Sequence, residues 1–214
     1  MTQPYIQWFH DISIAPAIES VLTRLGGRKH GLLEPEFSRL LGEGMKQAKI
    51  LSRPAGVYLR VKITERTPES IHLENGHHFQ SKSLSRLLQN SMEVVFMAGT
   101  VGREIVDAIR DEVNKDAALG VILDAAASQT ADLILDWMMD YMNSLIAMQG
   151  FRLTKHRYSP GYGDLPLKYQ KVIFEAMDLR KLGLELTEKY MLTPEKSVIA
   201  IAGIEAKETE INHG

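Results

Sequence analysis

Strand-like and helix-like segments follow one another in an irregular order along this chain, and that order limits the folds it can form. From Gly56 to Glu65 apolar and polar residues alternate, which is typical of a strand. The segments EVVFMA (93–98), FRLTKHRY (151–158) and SVIAIAGI (197–204) indicate three more strands. Predicted helices separate them unevenly, whereas a doubly wound parallel sheet needs regular alternation. The sequence therefore predicts an α+β fold with a mixed or antiparallel sheet flanked by helices.

The N-terminal part is predicted to be helical after an irregular opening. Apolar residues recur at helical spacing over residues 16–25 and 34–48, and Gly26-Gly27 separates the two stretches. We expect a helical hairpin, so that residues 1–50 form an N-terminal helical segment packed on a main domain of residues 51–214. The run from Asp116 to Met148 is also predicted to be mostly helical, with a break or kink near Gly120 or Ser128.

The composition of the chain argues against several classes of function. None of the 214 residues is cysteine, which excludes disulfides, a thiolate zinc site and a cysteine nucleophile. The 25 Lys and Arg residues nearly balance 27 Asp and Glu residues, so we expect neither nucleic acid nor a membrane as a partner. The N-terminus has no signal-peptide pattern, and no apolar run approaches the ~20 residues that span a bilayer. A soluble, cytoplasmic protein is expected.

The segment RYSPGYGDLP (157–166) is the strongest candidate for a binding site. Pro160 followed by Gly161 suits the central positions of a type II turn, which exposes backbone groups to a ligand. Arg157 offers a planar set of donors for a carboxylate, and Tyr162 offers a stacking face with a hydroxyl. Such a loop can hold a flat or zwitterionic molecule. The alternative is a plain connection from strand to helix whose arginine makes a surface ion pair.

Three other patterns are less specific. Asp132, Asp136 and Asp140 recur on one helix face, where they are either solvated or matched by cations. The side chains of His77-His78 point to opposite faces of an extended segment with no third ligand in place, so we interpret this pair as part of a turn. The segment 99–102 lacks the third glycine of a dinucleotide-binding fingerprint.

Several ordered blocks resemble the S-adenosylmethionine-binding activation domain of cobalamin-dependent methionine synthase. One block is Arg-x-Ser-Pro-Gly-Tyr at residues 157–162. A second places Leu186-Thr187, Met191, Pro194 and Ser197-Val198 in register with the family pattern Leu-Thr-x-x-x-Met-x-x-Pro-x-x-Ser-Val. Upstream, Thr100-Val101-Gly102 and the acidic helix 131–137 are also similar to family segments. The N-terminal part is more similar to the shorter, stand-alone members of the family.

The resemblance implies a set of site residues. Arg157 would bind the carboxylate of S-adenosylmethionine, and Ser159 and Gly161 would contact the ligand through their backbones. Tyr162 would lie near the transferred methyl group or the corrin, as the one residue with a catalytic role. Asp136 falls where the family has a ligand-contacting glutamate.

The resemblance also implies an accessory role. The chain lacks zinc thiolates and an Asp-x-His-x-x-Gly segment that would ligate cobalamin, so we do not expect a complete methionine synthase. It would instead support reductive methylation of cob(II)alamin on a separate corrinoid-binding methionine synthase subunit, together with a flavodoxin-like electron donor. Two alternatives stay open: a reactivation subunit for another corrinoid methyltransferase system, and a non-catalytic small-ligand-binding protein of the same fold.

Overall fold

The computed structural model describes residues 5–26 and 34–207. The helices in these ranges are α1 (Ile18–Arg24), α2 (Pro35–Leu51), α3 (Lys82–Leu87), α4 (Arg103–Val113), α5 (Ala117–Ala147) and α6 (Tyr169–Met177). The strands are β1 (Tyr5–Phe9), β2 (Ala55–Arg66), β3 (Ser70–Leu73), β4 (His78–Gln80), β5 (Ser91–Thr100), β6 (Phe151–Leu153), β7 (Glu185–Leu186), β8 (Leu192–Thr193) and β9 (Ser197–Ala206). The polar sequence EAKETEINHG (205–214) predicts a frayed tail. Its first two residues instead belong to β9, and the part from residue 208 onward lies outside the described residues.

An antiparallel sheet forms the centre of the fold. Its strand order is β4-β3-β2-β5-β9-β6, and β1 pairs with the first half of β2 along the edge that β3 continues. Every pair in this sheet is antiparallel. Strands β7 and β8 form a separate small hairpin. The predicted fold class, an α+β arrangement with a sheet flanked by helices, is confirmed.

Both faces of the sheet are buried, and the period-two pattern divides its side chains between two cores. Val57, Leu59 and Val61 of β2 face one core, which α3 and α6 cover. Tyr58 between them faces the other core, which α1, α2, α4 and α5 cover. The sheet therefore lies between two layers of helices. Loops that leave different strands can meet beside either layer.

Helix α5 is continuous from Ala117 to Ala147, so the predicted break near Gly120 or Ser128 is wrong. Gly120 serves another purpose. A Cβ atom at this position would lie 2.7–2.9 Å from atoms of Val113, so glycine permits the close approach of α4 and α5. The hydroxyl of Ser128 accepts a hydrogen bond of 2.8 Å from Lys196, without interrupting the helix.

The N-terminal residues form a strand as well as helices. The opening that we expected to be irregular contains β1, which belongs to the main sheet. Helices α1 and α2 both pack mainly on α5 rather than forming the expected hairpin with each other. The division of the chain into residues 1–50 and 51–214 stays a prediction.

Helix α5 is also long and apolar enough to cross a membrane by length and composition, contrary to the sequence expectation about apolar runs. Within its most apolar window of 18 residues, 61% of the residues are buried inside the fold. A core helix that is mostly buried has the same length and composition.

Candidate functional site

The predicted turn at Pro160-Gly161 is present. The Tyr162 amide donates to the Ser159 carbonyl at 3.2 Å, and Gly161 has a φ of +95°, as the second central residue of a type II turn requires. The turn follows a backbone bridge between Tyr158 and Ile201 of β9, with hydrogen bonds of 2.8 and 2.7 Å. The sheet therefore fixes the position of the turn.

Some backbone groups that we expected to contact a ligand already make hydrogen bonds inside the turn. The Gly161 amide donates to the Leu165 carbonyl at 2.8 Å, and the Ser159 carbonyl accepts the hydrogen bond that closes the turn. Contact through these two atoms would require the turn to open. The remaining backbone atoms of Ser159 and Gly161 would have to make the predicted contacts.

Asp164 anchors the far end of the loop to α3. Its carboxylate accepts hydrogen bonds from the Ser81 hydroxyl and the Lys82 amide, both at 2.6 Å, and weaker ones from the Ser83 amide at 3.3 Å. These contacts, above all the one from Ser81, lower the pKa of Asp164 from 3.8 to about 2. No local sequence pattern indicated this role, because the partners of Asp164 are about 80 positions away in the chain.

We expect the Asp164 anchor to make the loop acid-sensitive. Since folding lowers the pKa of this group, its contribution to stability is present above pH 3.8 and is lost as the pH falls towards 2. Asp164→Asn should lower the melting temperature by a few degrees near neutral pH and by much less at the acid end of this window. Thermal unfolding followed by circular dichroism at several pH values tests this. Asp140→Asn, on an exposed helix face, is the control, and an equal effect of Asp164→Asn at all pH values would contradict the anchor.

Arg157 and Asp136, two predicted site residues, form an ion pair with each other. The guanidinium Nη1 donates to Asp136 Oδ1 on α5 and lies 3.8 Å from the sulfur of Met139. The side chain of Arg157 is 26% exposed and that of Asp136 is 53% exposed. A ligand can therefore reach both groups from solvent.

The acidic face of α5 is largely matched by cations. Asp132 pairs with Arg24 of α1 at 3.0 Å, and Asp136 pairs with Arg157. Asp140 makes no ion pair within the described residues. Of the two explanations left open for this face, matching by cations therefore applies to two of the three residues.

A cavity of about 380 Å³ lies beside the turn. Three of the predicted site residues, Arg157, Ser159 and Tyr162, line it, whereas Gly161 and Asp136 lie next to it. The other lining residues are Asp132, Leu135, Tyr158, Pro160, Gln170, Leu192, Ser197, Val198 and Ile199. The cavity thus has charged groups at Arg157 and Asp132, and its walls combine apolar side chains with polar ones.

Segments that are far apart in the sequence meet at this cavity. The Ser197 hydroxyl donates to the buried Thr100 hydroxyl at 2.8 Å, and Ser197 also lines the cavity with Arg157. Lys196 holds the start of β9 on α5 through Asp124 at 2.7 Å and Ser128 at 2.8 Å. At least one residue of each sequence block that suggested the family resemblance therefore lines the cavity or contacts a residue that does, whereas Leu186 and Thr187 of the second block line a different cavity.

Comparison with known proteins supports the fold. The sequence matches no protein-family model and no curated protein. A crystal structure of the MetH reactivation domain bound to AdoHcy is similar to this chain, with a TM-score of 0.66 and 15% sequence identity. The match covers 98% of this chain and 81% of that chain. The chain has the fold of the MetH reactivation domain.

A second and larger cavity of this chain lies away from the predicted site. This cavity, of about 840 Å³, lies between α6 and the β7–β8 hairpin and is lined by residues such as Phe174, Glu175 and Tyr190. Its charged groups are partly paired with each other, as in Lys171–Glu175 at 3.9 Å. We favour the smaller cavity as the candidate site, because a turn, an ion pair and apolar side chains converge there.

Sequence reasoning missed several residues of the candidate site. Leu192 and Ile199 reach the cavity only through the pairing of β8 and β9 with the rest of the fold. Gln170 of α6 lines the cavity, and its Oε1 atom is buried without a hydrogen-bond partner in the described part of the chain. Of the lining residues outside the segment 157–162, the resemblance had marked Ser197 and Val198, together with Asp132 and Leu135 in the helix 131–137.

Proposed function

We propose that this chain binds S-adenosylmethionine in the cavity beside the turn and supports the reductive methylation of cob(II)alamin on a separate cobalamin-dependent methionine synthase subunit. The observation that carries the proposal is the convergence of the Arg157–Asp136 pair, the turn at Pro160-Gly161 and apolar side chains around one cavity in a MetH reactivation fold.

The ion pair suits the amino-acid end of the ligand. An α-amino acid carries a carboxylate and an ammonium group on the same carbon, so it needs a cation and an anion side by side. Arg157 and Asp136 provide this arrangement, and both side chains are partly exposed. The ligand would exchange the contact between them for two charge-assisted hydrogen bonds of its own.

The rest of the cavity suits the adenosyl end. Its volume of about 380 Å³ is within the range of roughly 300–1,000 Å³ that is usual for small-molecule sites. Leu135, Leu192 and Ile199 provide apolar contact, and the ring of Tyr158 provides a face for a flat base. These residues would hold the ligand in one orientation.

The contribution of the protein would be positioning. Cobalamin, brought by the partner subunit, would supply the cobalt centre that accepts the methyl group, with electrons from a flavodoxin-like donor. The sulfonium methyl group is already activated, so no general base is needed from this chain. Tyr162, whose side chain is 69% exposed at the rim of the cavity, is the residue best placed to contact a docked corrin.

Tyr162→Ala should separate ligand binding from methyl transfer. We expect S-adenosylmethionine affinity to stay within ~1 kcal/mol of the wild type, while methylation slows, because the ring contributes position rather than affinity. The assay combines the protein, a partner subunit loaded with cob(II)alamin, a reduced electron donor and S-adenosylmethionine, and follows the loss of cob(II)alamin absorbance. Tyr162→Phe keeps the ring and should restore the rate. Equal losses of affinity and rate in Tyr162→Ala would place this side chain in the ligand pocket instead.

One observation favours a second candidate, a small-ligand-binding protein without a catalytic role. The Arg157–Asp136 pair and the cavity provide groups for binding a zwitterion, and binding needs no docked corrinoid partner. Such a protein would bind S-adenosylmethionine or a related zwitterion but would not accelerate methylation with any corrinoid partner. The absorbance assay distinguishes the two, and repeating it with corrinoid proteins of other methyltransferase systems identifies the partner.

A further inference from the structure

The histidines near the edge of the sheet form a cluster that the proposed function does not use. His78 of β4 lies directly opposite His72 of β3 in the strand register, and the neighbouring pair Ile71 and Phe79 is buried in the core. Because side chains alternate between faces, His72 and His78 share the outer face of this part of the sheet. His77, next in sequence to His78, points to the opposite face.

The hydrogen-bond pattern brings these two histidines especially close. The Leu73 amide donates to the His77 carbonyl at 2.9 Å, and the Ser81 amide donates to the Glu69 carbonyl at 2.8 Å, so residues 73/77 and 69/81 are hydrogen-bonded pairs. Hydrogen-bonded and non-hydrogen-bonded pairs alternate along an antiparallel ladder, so His72 and His78 are a non-hydrogen-bonded pair. The Cα atoms of such a pair are only about 4.5 Å apart and their side chains are closer than in the other type.

The two rings lie close together and make few hydrogen bonds to the rest of the fold. They are stacked, with centroids 5.7 Å apart and planes 18° from parallel. Within the described residues their one hydrogen-bond contact is a long one, 3.4 Å from His72 Nε2 to the Ser70 hydroxyl. A tetrahedral ion with metal–nitrogen distances of about 2.0–2.1 Å needs ring nitrogens about 3.3 Å apart. Rotation of the two side chains from the stack can reach this separation with little loss of existing contacts.

The surroundings favour a cation. Glu65 of β2 lies opposite His72 on its other side, so a carboxylate, His72 and His78 form a row across three strands. Over residues 5–26 and 34–207, no three potential ligands are close enough to form a complete metal cluster. The protein would therefore supply two imidazoles, and water would fill the other positions.

We propose that His72 and His78 bind one divalent transition-metal ion of the class that prefers imidazole, such as Zn²⁺. Binding would link β3 to β4 at the edge of the sheet and stabilise that edge.

Isothermal titration of the full chain, free of any histidine tag, with ZnCl₂ tests this inference. We expect one ion per chain, and His72→Gln and His78→Gln should each weaken binding about tenfold or more. The matched control is His77→Gln, which changes the adjacent residue on the opposite face and should leave binding unchanged. Circular dichroism of each variant verifies that it is folded.

Three results would overturn the proposal: no binding of Zn²⁺ at millimolar concentration, binding that survives replacement of both His72 and His78, or binding that is lost in His77→Gln. As an independent readout, the ring proton resonances of His72 and His78 should shift together on addition of Zn²⁺ in nuclear magnetic resonance spectra. A shift confined to other histidines would also overturn it.

Discussion

Arg157→Ala should weaken the binding of S-adenosylmethionine by about 1.5–3 kcal/mol, which is roughly 10- to 150-fold in Kd. Among the described residues that line the cavity, Arg157 carries the positive charge, and its removal leaves Asp136 beside the ligand carboxylate without its cation. Calorimetric titration of the wild type and the variant measures the difference.

A matched control for Arg157→Ala is Arg152→Ala. Arg152 of β6 is also a partly exposed arginine in an ion pair, with Glu205 at 2.9 Å, but it does not line the cavity. Its replacement should leave the Kd within about twofold of the wild type, since surface ion pairs contribute little. Equal affinities of Arg157→Ala and the wild type would show that the Arg157–Asp136 pair is only structural.

Gly161→Val should abolish measurable binding of S-adenosylmethionine while the helices stay intact. A β-branched residue is strained at a φ of +95°, at a cost of about 1–3 kcal/mol, so the turn would shift to another conformation. An added Cβ would also lie 3.0 Å from a methyl carbon of Leu167. The turn carries Ser159 and Tyr162, so its shift would move both from the wall of the cavity. Far-ultraviolet circular dichroism, paired with a ligand titration, measures both effects.

Gly150→Val is the control for backbone strain. Gly150 has a φ of +79° at the end of α5, and an added Cβ there would meet no atom within 4 Å. The substitution should cost a similar amount of stability but leave ligand binding unchanged. Normal binding by Gly161→Val would mean that the turn does not form the ligand site, even if the fold assignment is correct.

Local features of the structure could be predicted from the sequence because they depend on nearby residues. The alternation of apolar residues in β2 follows from a strand with two different faces. The turn at Pro160-Gly161 follows from the φ values that proline and glycine prefer. The irregular order of strands and helices was enough to exclude a doubly wound parallel sheet.

Features that depend on tertiary contacts could not be predicted. Gly120 looked like a helix break, but it is a contact point where α4 comes close to α5. β1 was missed because its five residues, Tyr5–Phe9, show no clear alternation, and only pairing with β2 makes them a strand. The pairing of His72 with His78 required the register of β3 and β4, which the sequence alone did not show.

The same difference between local features and tertiary contacts applies to the candidate site. Arg157, Ser159, Gly161 and Tyr162 lie in one short segment, so turn chemistry and resemblance identified them together. Their pairing with Asp136 on α5 could be suggested only by resemblance, and the anchor from Asp164 to Ser81 had no local signal at all. The apolar wall formed by Leu192 and Ile199 depends on how β8 and β9 meet the cavity.

Titration of the purified wild-type chain with S-adenosylmethionine or S-adenosylhomocysteine is the most direct measurement of whether this chain has a ligand site of the proposed kind. The account predicts binding of about one molecule per chain with a Kd below about 1 mM, a free energy more favourable than about −4 kcal/mol. Binding should be competitive between the two ligands, because both carry the same amino-acid and adenosyl groups. An absence of binding heat at millimolar concentrations of both ligands would contradict the proposed function.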